Sequence, residues 1–217
     1  MQATSLSEVR LITRYVALGD SFTAGAPGAS ARDRWPDQLA AALRAANAEL
    51  EYHNLGTAGA TTPEVAAGQL ARCVELEPDL VTVVSGANDV LLHVRPDIGA
   101  HAAALDEIFA TVRERLPQAI VVTATTPPLA EHIGLHPRSR ERVERGMKAL
   151  NEATRAVAFA HDVMCLEFGD HPAALERDNY AKDGFHPSAT GIRRAALASV
   201  QELAARHGIR VAGEETA

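Results

Sequence analysis

Five short β-branched or aliphatic runs, at 15–18, 50–53, 80–85, 120–124 and 163–166, punctuate the sequence, and segments with apolar residues every three or four positions lie between them. That alternation belongs to α/β proteins built on a parallel sheet. The expected architecture is α/β in three layers, with about five mostly parallel strands and helices on both faces.

The helical segments carry continuous apolar stripes. Ile98, Ala102, Leu105, Phe109, Val112 and Leu116 form one, stopped by Pro117, and Val143, Met147, Leu150, Thr154 and Val157 form another. Trp35, Leu39, Leu43 and Ala46 make a third, with Pro36 suited to a first helical turn. A last helix starts near Ser188, a good N-cap type, and turns Ile192, Ala196, Val200 and Leu203 inward. These stripes are core. With 217 residues, 47% of them hydrophobic, and no repeat, low-complexity tract or linker, the chain reads as one domain over 1–217.

The net charge of −7 and pI near 5.7 give no concentrated basic surface, which excludes a nucleic-acid partner. Apolar runs are strand length, far short of the roughly 20 residues of a membrane span. The first 14 residues mix Ser, Glu and Arg and lack an export signal's apolar stretch, so a cytoplasmic protein is expected. Cys73 and Cys165 then read as buried structural thiols rather than a disulfide.

Gly19-Asp20-Ser21 closes the first strand. There a hydroxyl can point into the crevice at the strand ends, although an isolated Gly-Asp-Ser serves equally as a helix cap. Near the other end, Asp183-Gly184-Phe185-His186-Pro187 sets a carboxylate and an imidazole three positions apart in a turn. That spacing lets the carboxylate reach Nδ1 and leaves Nε2 free to take a proton, though a surface hydrogen bond would look the same. Ser, Asp and His together compose the hydrolytic triad, which different folds assemble in different orders. Such a site needs donors for an oxyanion. Gly59, after the second strand, and Asn88, in Ser85-Gly86-Ala87-Asn88-Asp89 after the third, are placed to supply them, and each also fits an ordinary turn. Three consecutive strands thus end in a candidate group at one sheet edge.

These blocks, in this order, resemble the SGNH (GDSL-type) hydrolases, whose fold is flavodoxin-like. The resemblance implies an ester hydrolase in which Ser21 attacks, His186 is the base and Asp183 orients it, with an oxyanion hole from the N–H of Ser21, the N–H of Gly59 and the side chain of Asn88. It implies a small-molecule ester as substrate, no cofactor and no metal. Phe22 stands where the family name has Leu, and Ala58 stands where many members have Ser. Acyl transfer to a bound alcohol would use the same residues, and a phosphate-binding module on the same sheet edge would leave Asn88, Asp183 and His186 unexplained.

Asp20, on the opposite face from Ser21, reads as a buried anchor. His132 and His136 are four apart, but Gly134 and nearby prolines favour a loop pair over metal ligands. The irregular segment 125–138 follows the fourth strand, so its Leu129, Ile133 and Leu135 are expected to wall a shallow pocket that prefers short acyl chains. Residues 19–25 lack the Gly-Lys-Ser/Thr ending of a phosphate loop.

Overall fold

The computed structural model describes residues 10–25 and 34–210, so most of the N-terminal stretch read above for an export signal lies outside them. The five apolar runs form β1 (Arg14–Gly19), β2 (Glu51–Asn54), β3 (Leu80–Val84), β4 (Ile120–Ala124) and β5 (Met164–Leu166), all paired in parallel in the order β2-β1-β3-β4-β5. Ser85 leaves its strand because Gly86 turns the chain at φ +125°.

Side chains alternate across the sheet, and both faces are covered. Val16, Leu18, Val81, Val83 and Val121 face α3 (Thr62–Glu75), α5 (Ile98–Arg115) and the end of α6 (Pro137–Ala160). Tyr15, Ala17, Leu80, Val122 and Leu166 face α2 (Trp35–Arg44) and α7 (Ala189–His207). Two short helices, α1 (Ser21–Ala24) and α4 (Ala87–Leu91), sit directly after β1 and β3. The result is three-layer α/β. No described helix is long and apolar enough to cross a membrane.

Several local expectations change. Helix α3 is absent from the stripes read above, although Thr61 and Glu64 form a capping box and Val65, Ala66, Leu70 and Cys73 are buried at helical spacing. The third stripe ends early, since α2 stops at Arg44 and Ala46 lies in the following turn. In α5 Leu105, Phe109 and Val112 turn inward as expected and are joined by His101, Ala104 and Ile108, whereas Ala102 is half-buried. Ser188 does cap α7, its Oγ accepting from the Gly191 N–H at 3.1 Å. Both cysteines are free, Cys73 buried and Cys165 half-buried, and burial pushes their thiols up to about 12 and about 11.

The larger correction concerns 125–138. Leu129 is fully buried in a cluster with Val90, Val143, Met147, Leu150 and Tyr180, and Leu135 packs on that cluster from outside. Neither they nor Ile133 line a pocket near Ser21. A turn of 3-10 helix at Leu129–Glu131 tucks the apolar side chains toward α6, leaving only Thr125, Thr126 and Pro127 at the strand ends.

Candidate active site

Ser21 is positioned by what holds Gly19. Gln69 of α3 clamps that residue on both sides, its Oε1 accepting the Gly19 N–H at 2.8 Å and its Nε2 donating to the Gly19 carbonyl at 2.9 Å. Gly19 has φ +148°, and a Cβ there would fall 2.0 Å from the Val84 carbonyl oxygen, so only glycine brings β1 this close to β3. Asp20 is wholly buried, and its Oδ1 caps α1 by accepting the Phe22 N–H at 2.9 Å. Burial pushes its carboxyl up to about 7. The anchor reading of Asp20 therefore matches its surroundings.

Ser21 opens α1 with its Oγ 3.2 Å from His186 Nε2. The other imidazole nitrogen, Nδ1, lies 2.7 Å from Asp183 Oδ2, while Asp183 Oδ1 accepts the N–H groups of Phe185 at 2.9 Å and His186 at 3.0 Å. Burial works to raise the Asp183 carboxyl, but the hydrogen bonds from the His186 ring and the two backbone N–H groups outweigh it and hold the group below its ordinary value. An ionised Asp183 accepts from Nδ1–H, which leaves the Nε2 lone pair facing the serine hydroxyl. Phe185 meets the imidazole edge-on at 4.6 Å between ring centroids, and Phe22 lies 6.4 Å from it.

The loop that carries this pair is fastened at both ends. Ala181 N–H donates to the His186 carbonyl at 2.8 Å, and Tyr180 bridges to Pro187. Gly184, at φ +71°, lies against the turn after Leu129–Glu131, where a Cβ would come 2.1 Å from the His132 carbonyl oxygen. The His132 ring itself lies on Tyr180 at 4.0 Å, and His136 stands at the N-terminal boundary of α6 with no side-chain bond to it.

The two expected donor segments join the same edge. Thr57 N–H donates to the Gly19 carbonyl at 3.0 Å, which brings the Gly59 turn beside Ser21's strand. Gly59 has φ +84° with open space where a side chain would be. Among the described residues, the N–H groups of Ser21 and Gly59 donate to no protein group. Asn88, in the first turn of α4, donates from Nδ2 to the Ala60 carbonyl at 3.0 Å. One amide hydrogen is thereby fixed and the other remains for a ligand.

Behind Asn88 stands a network that the sequence reading missed. Asp89 accepts the Thr62 N–H at 3.0 Å, and Thr62 Oγ1 lies 2.8 Å from His101 Nδ1, whose Nε2 is 3.0 Å from Thr154 Oγ1. His101 is fully buried, and desolvation lowers it to about 4, so it is neutral. Its place on the apolar stripe of α5, between Ile98 and Leu105, was the available signal.

A hydroxyl, an imidazole and a carboxylate in one hydrogen-bonded line, at the C-terminal edge of a parallel three-layer sheet, give the chain the outline of an ester hydrolase. The chain belongs to the GDSL-like lipase/acylhydrolase family, whose sequence model matches residues 17–194, and it is an ester hydrolase of that family. Solved structures agree on the fold. A lipase/acylhydrolase from Enterococcus faecalis is 22% identical, with 89% of this chain and 96% of that one covered at a TM-score of 0.66. The psychrotrophic esterase EstA from a Pseudoalteromonas species, in a structure inhibited by monoethylphosphonate, is 18% identical over 89% and 100% of the chains, TM-score 0.67. A catalytic mutant of an acetylxylan esterase from Geobacillus stearothermophilus is 19% identical over 91% and 96%, TM-score 0.68. No curated protein matches the sequence.

Proposed function

We propose that this hydrolase cleaves small or short-chain acyl esters through an acyl-enzyme on Ser21. The observation that carries the reading is the continuous line from Ser21 Oγ through His186 to Asp183, with contacts of 3.2 and 2.7 Å. His186 Nε2 takes the hydroxyl proton as Oγ attacks the ester carbonyl, and Asp183 steadies the imidazolium that forms. The oxyanion is received by the N–H groups of Ser21 and Gly59 and by the free Nδ2 hydrogen of Asn88. His186 returns the proton to the leaving alcohol, then activates the water that releases the acid. Each step uses side chains or backbone of this chain and calls for no cofactor.

A pocket of about 200 Å³, lined by Ser21, Phe22, Trp35, His186 and Pro187, supports a small group beside the base. The esterase names among the structural neighbours point to the same chemistry. The unbroken family match and the single sheet support one domain.

The test pairs wild type with Ser21→Ala against a fluorophosphonate probe and p-nitrophenyl acetate. Labelling and turnover belong to wild type alone, with unchanged circular dichroism in the variant. Substantial turnover by Ser21→Ala would move the nucleophile elsewhere. An added alcohol that diverts product from acid to new ester would make the enzyme an acyltransferase.

A further inference from the structure

Next to the Ser21 pocket lies a second cavity of about 400 Å³, twice the volume of the first. It is an open cleft between the C-terminal ends of the strands and α7, with Val84 and Thr126 on one side and Ala195, Leu197 and Ala198 on the other. That volume falls within the roughly 300–1,000 Å³ of small-molecule sites, which the first pocket alone does not reach. Phe22, Trp35, Pro187 and Ile192 line both, so the two adjoin.

The lining specifies what the cavity accepts. Its polar groups are largely satisfied within the protein: Thr125 Oγ1 accepts the Gly169 N–H at 2.8 Å, Ser85 Oγ pairs with Thr62 Oγ1 at 3.0 Å, and Asn179 Nδ2 donates to the Ala173 carbonyl at 2.6 Å. Arg194 is engaged by Glu176 and by Asn179 Oδ1. Asp20 Oδ2 has no hydrogen-bond partner, and its carboxyl is shifted by burial toward the neutral form. The surface that remains is hydrocarbon, and it suits an uncharged apolar chain.

The position of the cavity indicates which half of an ester supplies that chain. A departing alcohol receives its proton from His186 Nε2, so its oxygen sits beside that atom. Pro187, next in sequence to the base, and Phe22, whose ring lies 6.4 Å from the imidazole, are both shared walls. The way out from the base on this side leads over them. We propose that the second cavity binds the alkyl chain of the alcohol, so that the substrate is a short-acyl ester of an apolar alcohol. The proposal rests on the reading of Ser21 as nucleophile.

The experiment measures acid release from methyl, butyl, hexyl and octyl acetate, and from methyl butanoate, hexanoate and octanoate, by wild type, Ala198→Phe, Ala195→Leu and Ser21→Ala. In wild type kcat/KM rises along the alcohol series by about fourfold per methylene until the cavity is full, and stays level along the acyl series. Ala198→Phe flattens the rise and leaves methyl acetate unchanged. Ala195→Leu, a smaller filling, lowers the rise part-way and decides the matter should the first variant not fold. A level alcohol series in wild type, or a rise that survives both fillings, overturns the role of the cavity. An acyl-series rise that the fillings abolish overturns its assignment to the alcohol. In these two cases loss of methyl acetate turnover in Ser21→Ala leaves the nucleophile standing, whereas retained turnover removes the foundation of both readings.

Discussion

Replacing Asn88 by alanine removes two interactions at once, and the structure separates their consequences. One Nδ2 hydrogen is spent on the Ala60 carbonyl at 3.0 Å, beside Gly59, and the other is the proposed donor to the oxyanion. Loss of an oxyanion donor lowers kcat by about 10²–10³, or about 2.7–4 kcal/mol of transition-state stabilisation. Loss of the bond to Ala60 strands a carbonyl in a buried setting at about 1–3 kcal/mol, and for a chain of this size each kcal/mol lowers Tm by about 2–4 °C. Asn88→Ala is therefore expected to show a kcat fall of two to three decades, a KM within a few-fold of wild type, and a Tm several degrees lower. Asn88→Asp keeps the shape, donates neither bond and puts negative charge near the developing oxyanion, so its kcat falls further. Steady-state hydrolysis of p-nitrophenyl acetate and a thermal melt on the same samples measure both quantities. A rise in KM with kcat preserved would make Asn88 a substrate-positioning residue, and a lowered Tm with intact kinetics would reduce it to a strut for the Gly59 turn.

Further outcomes follow from other parts of the molecule. His101, lowered to about 4, stabilises the fold fully above its unfolded value near 6.5, and that contribution is lost as pH falls toward 4; Asp20, raised to about 7, does the reverse, its contribution being complete below about 4 and lost as pH rises through 7. These trends oppose each other, so Asp20→Asn should make urea midpoints climb more steeply from pH 4.5 to 6.5 than wild type, and an unchanged slope would refute the buried acid. Leu129→Ala should cost about 2–5 kcal/mol in denaturant unfolding, as core truncations do, while leaving chain-length preference alone. Gly184→Ala, which forces a Cβ onto the His132 carbonyl at φ +71°, should lower kcat and stability together; native activity would show that the loop moves aside freely.

What the sequence disclosed and what it withheld divide by the range of the interactions. β3 and β4 were legible because each is buried on both faces and reads as a mostly aliphatic run, as in Leu80–Val84, whereas the edge strand β2, Glu51–Asn54, is at most half-buried. Asp183 and His186 were legible because three residues of separation bring carboxylate and ring together within one turn. The clamp of Gln69 on Gly19 spans 50 residues, and the bond from His101 to Thr154 spans 53; neither leaves a local pattern, and a glutamine inside a helix carries no mark of the backbone it will hold. Leu129 was misplaced for a related reason. Prolines around it suggested an open loop, whereas the cluster that absorbs it is assembled from α4, α6 and Tyr180, far apart in the chain. Phe22 was noted only as a departure from the family name, and its position against His186 and between two cavities became visible once chain ends 165 residues apart had met.

The proposed base and its carboxylate share one short loop, whereas the proposed nucleophile and oxyanion segments grow from the central sheet. Hydrogen exchange on such a molecule divides accordingly: protection at Gly19 and the strand ends tracks global unfolding, and protection at Ala181, Gly184 and His186 reports the opening of the loop alone. Because Asp183 bonds to His186 within that segment, any opening of it is expected to carry the proposed base and its carboxylate together. With the proposed roles of Ser21 and His186, a change at the Gly184–His132 contact is expected to alter activity by displacing this loop, without altering an atom of the sheet.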